Sequence, residues 1–255
     1  MSFEITNELL ANITSYIEAS NDKPIIALFE EMHYADVAEI LDELTFDDVI
    51  YIIKLIDSEK TSAVLMELDE DIREKILQKL SAKEIAEEVE ELDSDDAADI
   101  IGELSEERQE AVMSQIEDEE HVKEIEELLT YDEDSAGGLM AKELVKVNEN
   151  WNVLKCVREM RLQAEEVTRV HSIYVVDDNE KLKGRLSLKD LLITSTKTAI
   201  SEVYIPKVDF VNVHDNLDEV SNKMRKYDLE AIPVVDNNGV LLGRITIDDI
   251  VDIIK

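Results

Sequence analysis

With 255 residues, 44% of them hydrophobic, the chain has enough apolar material for two or three compact bodies and too much to be disordered, although 35% are charged. A net charge of −36 argues against nucleic acid and anionic lipid headgroups as partners, and for cations or basic proteins. Cys156 is the sole cysteine, so no intrachain disulfide forms and a reducing compartment is expected. The N-terminus, MSFEITNELL, lacks the basic and apolar regions of a signal peptide, and no apolar run reaches the roughly 18 residues a membrane helix needs. The chain as written is therefore expected to be soluble.

The charge is uneven. Residues 1–130 hold 39 Asp and Glu against 9 Lys and Arg, a net −30, whereas residues 131–255 hold 23 against 17, a net −6. Within the acidic half Leu44, Ile56, Leu68, Leu80, Leu92, Leu104, Ile116 and Leu128 recur every 12 residues. Two columns keep step: Ile40, Ile52, Val64, Ile76, Ile100 and Val112, broken only at Glu88, and Leu41, Ile53, Leu65, Leu77, Val89, Ile101 and Met113. Val37, Ile40, Leu41 and Leu44 have the spacing of one apolar helical face. At about 100° per residue, one unbroken helix would return each rung about 120° out of phase. The chain must break between rungs, and Thr45, Asp57, Asp69, Ser81, Asp93 and Ser105 stand there as N-caps, with Ser81 and Glu84 spaced for a capping box. Helices of about nine residues are too short to stand alone. An all-α superhelix of short stacked helices is expected, an irregular helical bundle being the alternative.

The stretch YDEDSAGG, residues 131–138, changes the regime: five of six glycines and two of three prolines follow residue 130. Strands are expected at 172–176, 182–187, 232–235 and 241–246, and helices at 153–162 and 217–227. Hairpin turns are expected at 177–180 and 236–239. Ile173 to Leu192, IYVVDDNEKLKGRLSLKDLL, repeats 59 residues later as IPVVDNNGVLLGRITIDDIV, with nine identities and no gap. Each copy holds Gly-Arg-aliphatic-Ser/Thr-x-x-Asp, from Gly184 to Asp190 and from Gly243 to Asp249. Ser187 and Thr246 suit N-caps, and Asp190 and Asp249 then fall at N3. Such hydroxyls and carboxylates can also hydrogen-bond a ribose.

The repeated segment resembles a CBS domain, and the pair a Bateman module. YDEDSAGGLM resembles the junction motif of the MgtE family of magnesium transporters and channels, in which an acidic helical superhelix precedes a CBS pair. The resemblance implies a helical domain at 1–130, CBS domains at 131–197 and 198–255, and a homodimer formed through the CBS pair. It implies a regulatory region at the cytoplasmic face of the cell membrane, not an enzyme, with a transmembrane pore domain C-terminal to Lys255. Mg²⁺ bound between the helical domain and the CBS pair would hold the pore closed. The positions matching its ligands are Asp95, Asp99, Gly138 through its carbonyl, Asp218, Asp228, Asp249 and Asp252; Ala63 and Asn216 depart from that pattern. Oxygen-only sites suit Mg²⁺ or Ca²⁺, although a solvated acidic face is the plainer account of any single Asp. Adenine nucleotide such as ATP is a second expected ligand, through Ser187, Asp190, Thr246 and Asp248. An acidic scaffold for a basic protein is a third reading. His33, His121, His171 and His214 lack metal-ligand spacing, and Cys156 reads as a core residue.

Overall fold

A computed structural model describes residues 4–165, 167 and 169–254, and of 252–254 the backbone alone. Two compact units emerge: residues 1–92 with 99–122, and residues 93–98 with 123–255.

Among the described residues, ten helices precede the first strand: α1 Asn7–Glu18, α2 Asp22–Glu30, α3 Tyr34–Asp42, α4 Phe46–Ile53, α5 Ser58–Glu67, α6 Glu70–Leu77, α7 Ala82–Val89, α8 Ser94–Gly102, α9 Glu106–Met113 and α10 Glu119–Leu128. The expected breaks fall where the caps stand. Thr45, Asp57 and Ser81 accept from backbone N–H groups three residues on, and Glu84 Oε2 accepts in turn from the Ser81 N–H at 2.6 Å, completing the capping box. Asp69 and Ser105 occupy cap positions without a side-chain bond.

Within the first unit α3 packs on α5, α5 on α7 and α7 on α9. Two 12-residue steps make one 24-residue repeat, so alternate helices meet and the apolar columns face inward. Ile40, Ile52, Val64, Ile76, Ile100 and Val112 are fully buried, and Glu88, the break in that column, is itself only 8% exposed. These short helices are held by burial of their shared face.

The second unit carries two three-stranded sheets. In the first, β1 Val145–Asn148 runs parallel to β2 Ile173–Val176, which is antiparallel to β3 Leu182–Leu186. The second repeats this with β4 Val211–Asn212, β5 Ala231–Val235 and β6 Leu241–Thr246. Helices α11 Val153–Gln163 and α13 Leu217–Tyr227 form the crossovers, and α12 Leu188–Ile193 and α14 Ile247–Ile254 follow the hairpins. A register shift falls at Val175/Val176 and at Val234/Val235, so the duplication extends to its irregularities. The hairpin turns form as expected, with Asp177 and Asp236 each accepting from two N–H groups of its own turn. Cys156 is fully buried in the first sheet's core beside Val145, Ile173 and Leu186.

Each sheet takes its fourth edge from the other repeat. Ala141 pairs with Arg244 of β6 through two backbone bonds of 2.9 Å, and Ile205 pairs with Arg185 of β3 through bonds of 2.9 and 3.1 Å. Gly184 and Gly243 make this approach feasible: a Cβ at Gly184 would lie 2.2 Å from the Ile205 carbonyl oxygen, and at Gly243 2.5 Å from that of Ala141. The pairing crosses the boundary expected at 197/198.

Candidate metal centre

The N-terminal turn of α8 belongs to the unit that holds the sheets. Ser94 explains this locally. Its N–H and hydroxyl donate to the two carboxylate oxygens of Glu143 at 3.0 and 2.9 Å, and its Oγ accepts from Lys142 N at 2.9 Å. Glu143 is thereby held against the start of α8, where Asp93, Asp95 and Glu143 each present an oxygen within 4.8 Å of the others. Arg244, 7% exposed, enters from β6: its Nε donates to the Glu143 carbonyl at 2.6 Å and its guanidinium reaches Asp93 at 3.3 Å.

The Arg244 guanidinium thus lies among carboxylates. Burial, followed by the charges of Asp96 and Asp249, holds the Asp95 carboxyl well above the usual carboxylate range, against the pull of the Asp96 N–H bonded to it. Burial likewise pushes Asp249 up, while the N–H of Thr246, 2.7 Å away, draws it back. Asp93, Asp95 and Glu143 offer oxygen donors, which fits a hard divalent cation.

Asp95 and Asp249 are thus neighbours. Asp99 lies one turn on in α8 and is exposed. Asp218 and Asp228, both exposed, stand at opposite ends of α13, about 15 Å apart at 1.5 Å per residue, too far to share an ion with each other. Asp228 is the left-handed C-cap of that helix, with φ 51°. Gly138 sits in the tight turn after Ser135, where a Cβ would lie 2.5 Å from the Asp132 carbonyl oxygen. The side chain of Asp252 lies outside the described residues. Asn216, one of the two departures from the family pattern, caps α13 by accepting from Glu219 N at 2.9 Å. Ala63 lies in α5, half-buried. Sequence reasoning read Asp93 only as an N-cap and missed Glu143 and Arg244; the Gly-Arg repeat singled out position 244, but Arg185, its twin, is exposed.

The residues expected to contact nucleotide lie in both repeats. Ser187 caps α12 and accepts from Asp190 N at 3.4 Å. Burial raises the Asp248 carboxyl, but the Thr246 hydroxyl and Asp248's own N–H outweigh this and leave it below its ordinary value. Tyr174 Oη and His171 Nδ1 are buried without hydrogen-bond partners; Ser172 stands beside Tyr174 without meeting hydrogen-bond geometry. Burial, then Arg244 and Arg169, depress the His171 imidazole, and burial pushes the Tyr174 phenol up to about 12. No helix among the described residues is long and apolar enough to cross a membrane.

The MgtE intracellular N domain family matches residues 32–134, and the CBS domain family matches residues 136–195 and 200–255. A magnesium transporter MgtE of Thermus thermophilus is 41% identical over 125 residues, 49% of this chain and 28% of the relative. The chain thus matches little more than a quarter of that relative's length. The crystal structure of the cytosolic domain of the Mg²⁺ channel MgtE in complex with ATP superposes with TM-score 0.88 at 32% identity, covering 96% of this chain and 100% of that one. The soluble part of a magnesium transporter superposes with TM-score 0.82 at 26% identity, covering 97% of each chain. Sequence, fold and relatives agree: the chain belongs to the MgtE family and carries its intracellular N domain followed by tandem CBS domains.

Proposed function

We propose that this chain is the magnesium-sensing regulatory region of a magnesium transporter, acting at the cytoplasmic face of the membrane and not as an enzyme. In this reading Mg²⁺ favours closure of the helical domain onto the CBS pair and so shuts the pore. The observation that carries it is the meeting of Asp93, Asp95 and Glu143, with Asp249 beside Asp95. When bound, Mg²⁺ supplies positive charge to this group of carboxylates. Asp99, Gly138, Asp218, Asp228 and Asp252 complete the proposed ligand set. Two unit charges 4.8 Å apart, the outer limit of the cluster, repel by about 3.5 kcal/mol at an effective dielectric of 20. Weak sites that offset this repulsion can supply the roughly 5.5 kcal/mol that moves a two-state equilibrium from 1:99 to 99:1. Small-angle scattering in EDTA and in about 10 mM MgCl₂ tests the switch. A smaller radius of gyration in Mg²⁺ is expected, and an unchanged radius refutes it.

Association as a homodimer is part of this reading. Leu188 and Leu192 on α12, with Ile247 and Val251 on α14, occupy equivalent positions of the two repeats and are all exposed.

Adenine nucleotide is the second ligand. The unpartnered polar atoms of Tyr174 and His171, near Arg244, favour it, as does the ATP bound to the relative of 32% identity. Ser187, Asp190, Thr246 and Asp248 are the contacts we assign. Calorimetry with ATP on the protein and its Asp190→Ala and Asp248→Ala variants tests this. Heat of binding lost in either variant supports the assignment, and no heat with the parent protein overturns it.

A further inference from the structure

The helical unit contains a titratable group that magnesium sensing does not use. Glu88 occupies, on α7, the column position that its repeats fill with Ile40, Ile52, Val64, Ile76, Ile100 and Val112, all fully buried. It is 8% exposed, and its Oε2 is buried with no hydrogen-bond partner. Helix α7 packs on α5 and α9. The charges acting on Glu88 are acidic: Glu87, Glu91, Asp57 and Glu84. Nearby cations are engaged elsewhere. Lys54 pairs with Glu84 at 2.7 Å and Lys83 with Glu87 at 3.0 Å. Arg108 of α9 donates to the carbonyls of Leu77 and Leu80 at 2.9 and 2.8 Å, and Lys60 of α5 donates to the Met32 carbonyl at 2.6 Å. The other charges of these two helices, Glu59, Glu67, Glu106, Glu107 and Glu110, are acidic. His121 Nε2 lies 3.2 Å from the Val89 carbonyl oxygen.

We propose that Glu88 is a buried proton-binding site that ties the cohesion of the α5–α7–α9 stack to pH across the neutral range. A neutral carboxyl replaces an aliphatic side chain in the column at moderate cost, whereas a carboxylate there leaves Oε2 unpartnered and, among the described residues, is acted on chiefly by other acids. Burial first, then the acidic neighbours, pushes its titration up to about 8. The folded-state value therefore exceeds the unfolded one. The stack is most cohesive below pH ~4.5, weakens as pH rises through neutrality, and reaches its floor above about 8.

The test uses the whole chain in EDTA, so that no cation bound at Asp95 contributes. Carboxyl ¹³C titration of the wild type should place the Glu88 midpoint several pH units above an ordinary glutamate. Glu88→Gln and Glu88→Ile remove the proton site. Relative to wild type, their folding constants from urea titration should rise by roughly several hundred-fold between about pH 5 and about pH 9. A Glu88 midpoint between about 4 and 5, or a variant-to-wild-type ratio that is constant with pH, overturns the proposal. If neither variant folds, the wild-type titration decides.

Discussion

Asp95→Asn is the most informative substitution. Asn keeps the oxygen that accepts the Asp96 N–H at 3.0 Å, so the helix start is preserved while one charge is removed. Asp93 and Glu143 lie within 4.8 Å of Asp95 and, fully ionised, would each repel it by about 3.5 kcal/mol at an effective dielectric of 20. Two effects reduce the net gain: Arg244 offsets part of the repulsion, and losing an acid from the first turn costs up to ~1 kcal/mol. A net stabilisation of about 1–2 kcal/mol in EDTA remains, which is about 2–8 °C in Tm at this size. With Mg²⁺ the sign changes. One site with a millimolar Kd stabilises the parent by about 1.4 kcal/mol at about 10 mM Mg²⁺, and the variant forfeits most of this. Thermal unfolding of both proteins across a Mg²⁺ titration reads the two effects together. The variant should melt higher in EDTA, and its advantage should shrink or vanish in Mg²⁺. An equal Mg²⁺ response in both, or a variant less stable in EDTA, refutes the electrostatic account.

Gly184→Ala should cost about 2–3 kcal/mol, because its Cβ displaces the Ile205 carbonyl oxygen and opens both bonds between Ile205 and Arg185. A melting temperature within 1 °C of the parent, by calorimetry, would contradict that (about 0.5 kcal/mol at most). Leu192→Glu with Val251→Glu should shift the sedimentation of the chain to that of a monomer, since these side chains are 78% and 51% exposed. An unchanged sedimentation coefficient would remove this face from the proposed dimer. Glu84, held near 2 chiefly by Lys54 and by the Ser81 N–H, has its folded value below the unfolded one. Its contribution is therefore present above pH ~4.5 and lost as pH falls through about 2. Discounted for an exposure of 36%, Glu84→Gln should cost about 1 kcal/mol at pH 7, a gap in urea midpoints that closes toward pH 2.

Much of this architecture was legible because its rules are local. The 12-residue ladder excluded a single helix, and each cap from Thr45 to Ser105 lies at a helix start. Leu217–Tyr227 and Leu241–Thr246 fall where composition and pattern set them. The cluster at α8 was less accessible, because Glu143 and Arg244 reach it through chain separations of 49 residues, from Ser94, and 151 residues, from Asp93. Glu88 was visible as a gap in a column, but only its 8% exposure turns a missing aliphatic residue into a buried acid. Gly184 and Gly243 belonged to the repeated motif, yet their necessity depends on a carbonyl brought in from the other repeat.

That exchange makes the two CBS repeats mutually dependent. Cleaving the polypeptide between Lys197 and Thr198 would leave Arg185 without its edge partner Ile205 in one fragment, and Arg244 without Ala141 in the other. Neither half should persist alone, whereas mixing the two should restore both sheets, so a ligand that grips one repeat is felt by the backbone of its twin.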